Sequence, residues 1–164
     1  MPERIFGHIS GFPVGSWFES RAALSAAGLH RPLIAGISGT ESEGADSIVL
    51  SGGYEDDEDL GCEIVYTGHG GRDQDTGKQV AHQKLSRGNL ALAKSKILGL
   101  PVRVIRGSAH KSDDSPPTGY RYGGLYQVED YWQERGRAGY FIYRYRLIKI
   151  ADGEIFTSSK VTED

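Results

Sequence analysis

The sequence predicts an α+β domain built around a strongly bent β-sheet with one or two flanking helices. Short apolar runs alternate with glycine-rich turns, and the chain holds 23 glycines in 164 residues. Only the stretch from Gln83 to Leu98 has the length and composition of a sizeable helix. Many short strands, one clear helix and abundant turn residues are the pattern of a mostly-sheet domain with helical cover.

In order along the chain, residues 1–12 read as a lead-in, because Gly7, Gly11 and Pro13 interrupt regular structure. From Trp17 to Leu24, Phe18, Ala22 and Leu24 fit a period of two and read as a strand. Ala22, Ala23, Ala26 and Ala27 would also suit a helix by propensity. Gly28-Leu29-His30-Arg31-Pro32 forms the next turn, with His30 as a satisfied turn histidine, and Leu33 to Gly39 is a loop of small residues. Ser47 to Leu50 reads as a short buried strand, and Glu63 to Tyr66 as its partner. Asp73 to His82 is a polar loop with Lys78 and Gln79 near its tip. In the helix from Gln83 to Leu98, Leu85, Leu92, Ala93 and Ile97 share a face, Asn89 caps the main part, and Gly99 and Pro101 end it. Val102 to Ile105 is a strand, and Gly107 to Gly119 is loop chemistry that predicts disorder. Leu125–Trp132 and Tyr140–Ile150 are two further strands, turned by Gly136 and Gly139 and contributing aromatic side chains to the core.

This length suffices for one domain with its own core. No apolar run approaches the length of a membrane span, and the N-terminus carries no signal-peptide pattern. The single cysteine, Cys62, rules out an internal disulfide and a multi-cysteine zinc site, and its setting predicts a small core residue. The net charge of −3 is unevenly spread. Residues 68–111 hold nine of the 19 basic side chains (Arg72, Lys78, Lys84, Arg87, Lys94, Lys96, Arg103, Arg106, Lys111) against two acidic ones. Such a face would suit a polyanion.

The most informative stretch is Ser51 to Asp73, SGGYEDDEDLGCEIVYTGHGGRD. Two glycine-rich loops each present a tyrosine, Tyr54 and Tyr66, and Asp57 lies between them. Two aromatic faces with one acceptor suit a flat polar ring: the rings stack, and the carboxylate accepts from an amino group. Cytosine carries that amino group at N4, where thymine has a carbonyl.

GGYEDD followed by YTGHGGRD, preceded by GLHRPLIAGI and followed by QKL, resembles the SRA (SET- and RING-associated, or YDG) domain. The resemblance runs from about Pro13 to Ile150, which assigns 13–150 to the domain and 151–164 to a tail or the start of a linker. It implies a crescent-like β-barrel of the PUA type whose basic concave side binds DNA, with no cofactor, no metal and no membrane partner. The implied ligand is double-stranded DNA whose modified cytosine is flipped into a pocket. By motif position Tyr54 and Tyr66 sandwich the base and Asp57 reads its Watson–Crick edge, with Ser51, Gly52, Gly53, Thr67 and Gly68 shaping the walls. Asp56, Glu58 and Asp59 are then solvated or structural. The loop of Ile34, Ala35, Gly36 and Ser38 is implied to enter the minor groove, with Ile34 filling the space the base leaves. Arg72, Lys78, Gln79 and Lys84 are candidates for backbone or second-loop contacts. The loop at 73–82 is shorter than in some relatives, so selectivity for a hemimodified duplex does not carry over. The family's YDG aspartate is replaced by Gly123, in a block that is mainly structural.

One methyl group supports only modest discrimination, about 1–3 kcal/mol, so 5-hydroxymethylcytosine is a second candidate beside 5-methylcytosine. In bacteria such modules are joined to HNH nucleases in modification-dependent restriction enzymes, and the simple loops here fit that type. The parent would then act in the bacterial cytoplasm on the nucleoid, or in the nucleus if it is eukaryotic. A stand-alone epigenetic reader and an enzyme acting on the flipped base are the alternatives. A deaminase needs zinc ligands that one cysteine does not supply, and His69, Asp73 and His82 form no recognised metal motif.

Overall fold

A computed structural model of the chain describes residues 3–151. Eight strands form one sheet: β1 (Trp17–Phe18), β2 (Ile37–Thr40), β3 (Gly44–Leu50), β4 (Glu58–Asp59), β5 (Glu63–Thr67), β6 (Pro101–Gly107), β7 (Tyr120–Arg135) and β8 (Phe141–Lys149). Two helices, α1 (Arg21–Ala27) and α2 (Arg87–Leu98), flank it. The sheet runs β2-β3-β6-β7-β8-β5-β4, with β1 added beside β7. Its end strands β2 and β4 are not paired with each other along this path, so the sheet is open and bent rather than closed. β3 and β6 run parallel; the other pairs are antiparallel.

The two faces of the central strands bury different clusters. Ile48 and Leu50 of β3, with Val102 and Val104 of β6, pack with Ala91 and Leu92 of α2. Val49 and Ile105 point the other way, toward Phe18, Leu24 of α1, Leu29 and Tyr122. β3 and β6 are buried along their whole lengths, including the polar side chains of Asp46, Ser47, Arg103 and Arg106. Bulges between Val104 and Ile105 and between Val128 and Asp130 add to the bend.

Several expectations are corrected. Arg21–Ala27 is helical, not a strand; Ser20 caps it by accepting from the Ala23 N–H at 3.1 Å, and Gly28 ends it in the left-handed region. Ala22 and Ala26 lie exposed and only Leu24 is fully buried, so alanine propensity decided the segment. β5 does not pair with β3. It lies between β4 and β8, and β3 takes β2 and β6 as neighbours. Cys62 is exposed, at the turn between β4 and β5. α2 begins at Arg87 after Ser86, so residues 83–86 stay outside it, and Ile97 is 66% exposed rather than on the buried face. Asn89 sits within the helix and does not cap it.

The lead-in packs on the domain from Arg4 onward: Arg103 donates to the Ile5 and Gly7 carbonyls at 2.7 and 2.8 Å, and Arg4 reaches Asp46 at 3.3 Å. The tail expected at 151–164 lies, except for residue 151, outside the described residues. The loop 107–119, expected to be disordered, is anchored by His110, which is 6% exposed and lies 2.8 Å from Asp59.

Candidate nucleic-acid interface

Past the end of β3 the chain turns at Ser51-Gly52-Gly53. Gly52 has φ +78°, and a Cβ there would stand 2.5 Å from the Ala109 carbonyl oxygen, so both conformation and space require glycine. The loop is closed by the Asp57 N–H donating to the Tyr54 carbonyl at 3.2 Å. β4 then pairs with β5, which returns Tyr66 and Thr67 beneath the loop. Between them lies a cavity of about 240 Å³. Tyr54, Tyr66, Asp57, Ser51 and Gly53 line it together with Ile34, Ala35 and Gly36 of the small-residue loop. Val49, His69 and Arg72 complete the lining.

Each pocket side chain is held. Tyr66 is 4% exposed, and its hydroxyl donates to the Gly36 carbonyl at 3.3 Å. Burial pushes that phenol well above its usual range, so it stays a neutral donor. The Tyr54 hydroxyl accepts from the Gly70 N–H at 3.3 Å, and the Arg72 guanidinium lies 4.5 Å from its ring centroid. Arg72 is itself fixed by donating to the Gly77 carbonyl at 2.7 Å. Asp57 accepts from the Thr67 N–H at 2.7 Å. Burial pushes the Asp57 carboxyl up to about 6, with hydrogen bonding from Thr67 pulling back against it. A carboxylate has about four acceptor positions, so it retains capacity for a ligand amino group.

A second layer holds the loops. Asp59, next to the pocket loop, accepts from Arg106 at 2.7 and 2.9 Å and contacts His110 at 2.8 Å. Burial alone would raise its pKa, but these hydrogen bonds hold the carboxyl well below the usual range. A Cβ on Gly123 would come 2.5 Å from Arg106, so glycine at the family's aspartate position leaves the guanidinium room to reach Asp59. Two amides fix the second glycine turn. Gln83 donates to the Gly68 carbonyl at 2.6 Å, and Asn89 both accepts from the His69 N–H and donates to the His69 carbonyl at 2.9 Å. These bonds give Asn89 a role that its position after Gly88 had disguised.

Thr67 and Gly68 stand behind the cavity lining, and Gly52 faces a neighbouring cleft with Lys78 and Gln79. Ile34 is 90% exposed, at the rim. Ser38 is 2% exposed in β2, where its hydroxyl accepts from Arg4. Gln79 spends its amide N–H groups on the Gly70 and Ala81 carbonyls at 2.9 and 2.8 Å, bracing its own loop. Lys78 is exposed beside that cleft, and Lys84 is exposed too. Of the nine basic residues expected to form one face, Arg103 and Arg106 are buried in ion pairs with Asp46 and Asp59 and are withdrawn from it. Sequence reasoning missed His69 as a wall residue, although it stands three residues after Tyr66; burial and the nearby Arg87 lower its pKa, favouring the neutral imidazole. His82 accepts from the Phe141 N–H, and Asp73 from the Asp75 and Thr76 N–H groups. Among the described residues no group of three or more His, Cys, Asp or Glu could hold a metal ion. No described helix is long and apolar enough to cross a membrane.

The SAD/SRA domain family matches residues 5–153. A UHRF1-like protein from Cryptococcus neoformans var. grubii is 45% identical over 161 residues, covering 91% of this chain and 47% of that protein. The E3 ubiquitin-protein ligase UHRF1 of Danio rerio is 42% identical, covering 94% of this chain and 22% of the ligase. The chain thus spans less than half the length of these relatives. Among solved structures, a modification-dependent TagI restriction endonuclease superposes with a TM-score of 0.90 at 47% identity, covering 95% of this chain and 57% of that one. The SUVH5 SRA bound to fully hydroxymethylated CG DNA superposes with a TM-score of 0.76 at 39% identity, covering 89% of this chain and 94% of that one.

Proposed function

The chain belongs to the SAD/SRA domain family, and from that premise we propose that it reads modified cytosine in double-stranded DNA by taking the flipped base into the cavity between Tyr54 and Tyr66. The observation that carries this is the convergence of both tyrosines and the Asp57 carboxylate on one cavity of about 240 Å³ with the exposed Ile34 at its rim. Such a cavity suits a single pyrimidine with its C5 substituent. The tyrosines stack on the ring, and Asp57 accepts from N4–H, an interaction that thymine's carbonyl would oppose. Ile34 covers the gap left in the duplex, as apolar wedges do in the minor groove. Exposed cations such as Lys78 and Lys84 contact phosphates without reading sequence.

The likeness to the TagI endonuclease favours this module as the specificity part of a modification-dependent restriction endonuclease, with a separate, covalently linked nuclease domain cutting the DNA. In a bacterial parent it works in the cytoplasm on the nucleoid. The UHRF1 relatives support a second reading, a chromatin reader within a larger nuclear protein. The 13–150 core, extended by the packed segment from Arg4, is the binding unit in either.

Binding to matched duplexes carrying one unmodified, 5-methyl or 5-hydroxymethyl cytosine, at fixed salt, tests the proposal with wild type and Asp57→Ala. Modification-dependent binding that Asp57→Ala abolishes is the expected result. Equal binding to all duplexes, unchanged by the substitution, would leave only a basic DNA-binding surface.

A further inference from the structure

The segment from Pro32 to Gly36 contains neither helix nor strand, yet it carries two exposed aliphatic side chains, Leu33 at 59% and Ile34 at 90%. An irregular apolar loop of this kind normally samples many conformations, and ordering it costs backbone entropy. Here its carbonyls are turned inward and bound. Arg21, the first residue of α1, donates to the Pro32, Ile34 and Ala35 carbonyls at 2.9, 3.2 and 2.6 Å. His30 contacts the Ala35 carbonyl through Nε2 at 2.8 Å and the Ser47 hydroxyl through Nδ1 at 2.7 Å. A carbonyl can only accept, so Nε2 carries the proton and Nδ1 accepts from Ser47. His30 is fully buried, and burial holds its pKa down at about 4, so this neutral tautomer persists at working pH. The next carbonyl, Gly36, accepts from the Val49 N–H at 2.8 Å and from the Tyr66 hydroxyl.

With Ile34 as the wedge proposed above, we infer that Arg21 and His30 are positioning residues that hold the wedge loop in its working shape before DNA arrives. The three carbonyls are reached from two nitrogens held apart in one plane, Nη1 to Ile34 and Nη2 to Pro32 and Ala35; a lysine ammonium concentrates its donors at one point on a flexible stem, and methionine offers only the stem. Because the same loop is tied to Tyr66 at Gly36, the wedge and the base pocket form one rigid unit. The entropy of shaping the loop is then settled during folding and does not oppose base extrusion.

The test compares two substrates. One duplex carries 5-methylcytosine opposite guanine. The other carries it opposite an abasic site, where no pair has to be broken and no orphaned guanine needs a wedge. A clamp acting through the wedge predicts that Arg21→Met weakens binding to the paired duplex by roughly 10- to 30-fold, and to the abasic duplex by less than about threefold, a loss on the scale of one or two charge-assisted hydrogen bonds. Ile34→Ala and His30→Gln should show the same selective loss, and Arg21→Lys should not restore the wild-type ratio. Thermal melting identifies any variant that fails to fold, and Arg21→Lys, which keeps the charge and stem, supplies the comparison if Arg21→Met does. Equal losses on both duplexes would show that Arg21 supports only the fold and would overturn the assignment. Failure of the underlying reading is seen separately, in wild-type protein that ignores the 5-methyl group.

Discussion

Replacing Asp57 with asparagine separates the energetic cost of the reading group from its use. The side chain keeps its shape, and its oxygen can still accept the Thr67 N–H now held at 2.7 Å. In the wild type, burial raises the carboxyl from 3.8 to about 6. A folded-state pKa above the unfolded one means that the group's favourable contribution is complete below about pH 4 and is lost as pH rises through 6. Each factor of ten in proton affinity is worth about 1.4 kcal/mol, so above pH 6 the ionised group costs the fold up to about 3 kcal/mol. Asparagine never ionises, although its bond to Thr67 is weaker than a charge-assisted one by about 1 kcal/mol. Asp57→Asn should therefore stabilise the protein at pH 7.5 by about 1–2 kcal/mol, a rise in Tm of roughly 2–8 °C for a domain of this size. The gain should vanish near pH 4. Its cost falls on binding, because the amide turns an N–H donor toward the N4 amino group and should remove the preference for modified cytosine. Calorimetry of both proteins across pH 4–8, with binding at pH 7.5, measures the two effects. A variant equally or less stable at pH 7.5, with no pH-dependent difference, would refute the assignment of Asp57 as a destabilised reading group.

Leu92→Ala removes a fully buried side chain of α2 from the main core and should cost about 2–5 kcal/mol in urea unfolding. Exchanging Lys78 and Lys84 for glutamine should weaken binding to modified and unmodified duplexes alike and reduce the slope of log K against log salt by up to about 0.9 for each phosphate no longer neutralised. A selective loss on modified DNA would instead give these lysines a reading role. Cys62 is exposed and should react stoichiometrically with a thiol reagent in the native protein; protection until unfolding would return it to the core.

Local chemistry could be read from the chain alone. The glycine turns, the strand segments Ser47–Leu50 and Val102–Ile105, and the placement of Tyr54, Asp57 and Tyr66 around two short loops are all local patterns, and each was legible. The place of Ile34 came from the family resemblance, since an aliphatic residue beside Leu33 could equally enter the core; the structure leaves it 90% exposed. Partnership was not legible. β5 reads as a strand from its own residues, but its pairing with β8 rather than β3 depends on a segment about 80 residues away. Arg103 and Arg106 look like the exposed cations around them until the tertiary structure sets Asp46 and Asp59 against them. Asn89, His69, Arg21 and His30 gained their roles in the same way, since each is placed by folding against groups that sequence spacing does not bring nearby. Residue type decides what a group can donate or accept; only the folded chain decides which unsatisfied partner stands within hydrogen-bond reach of it.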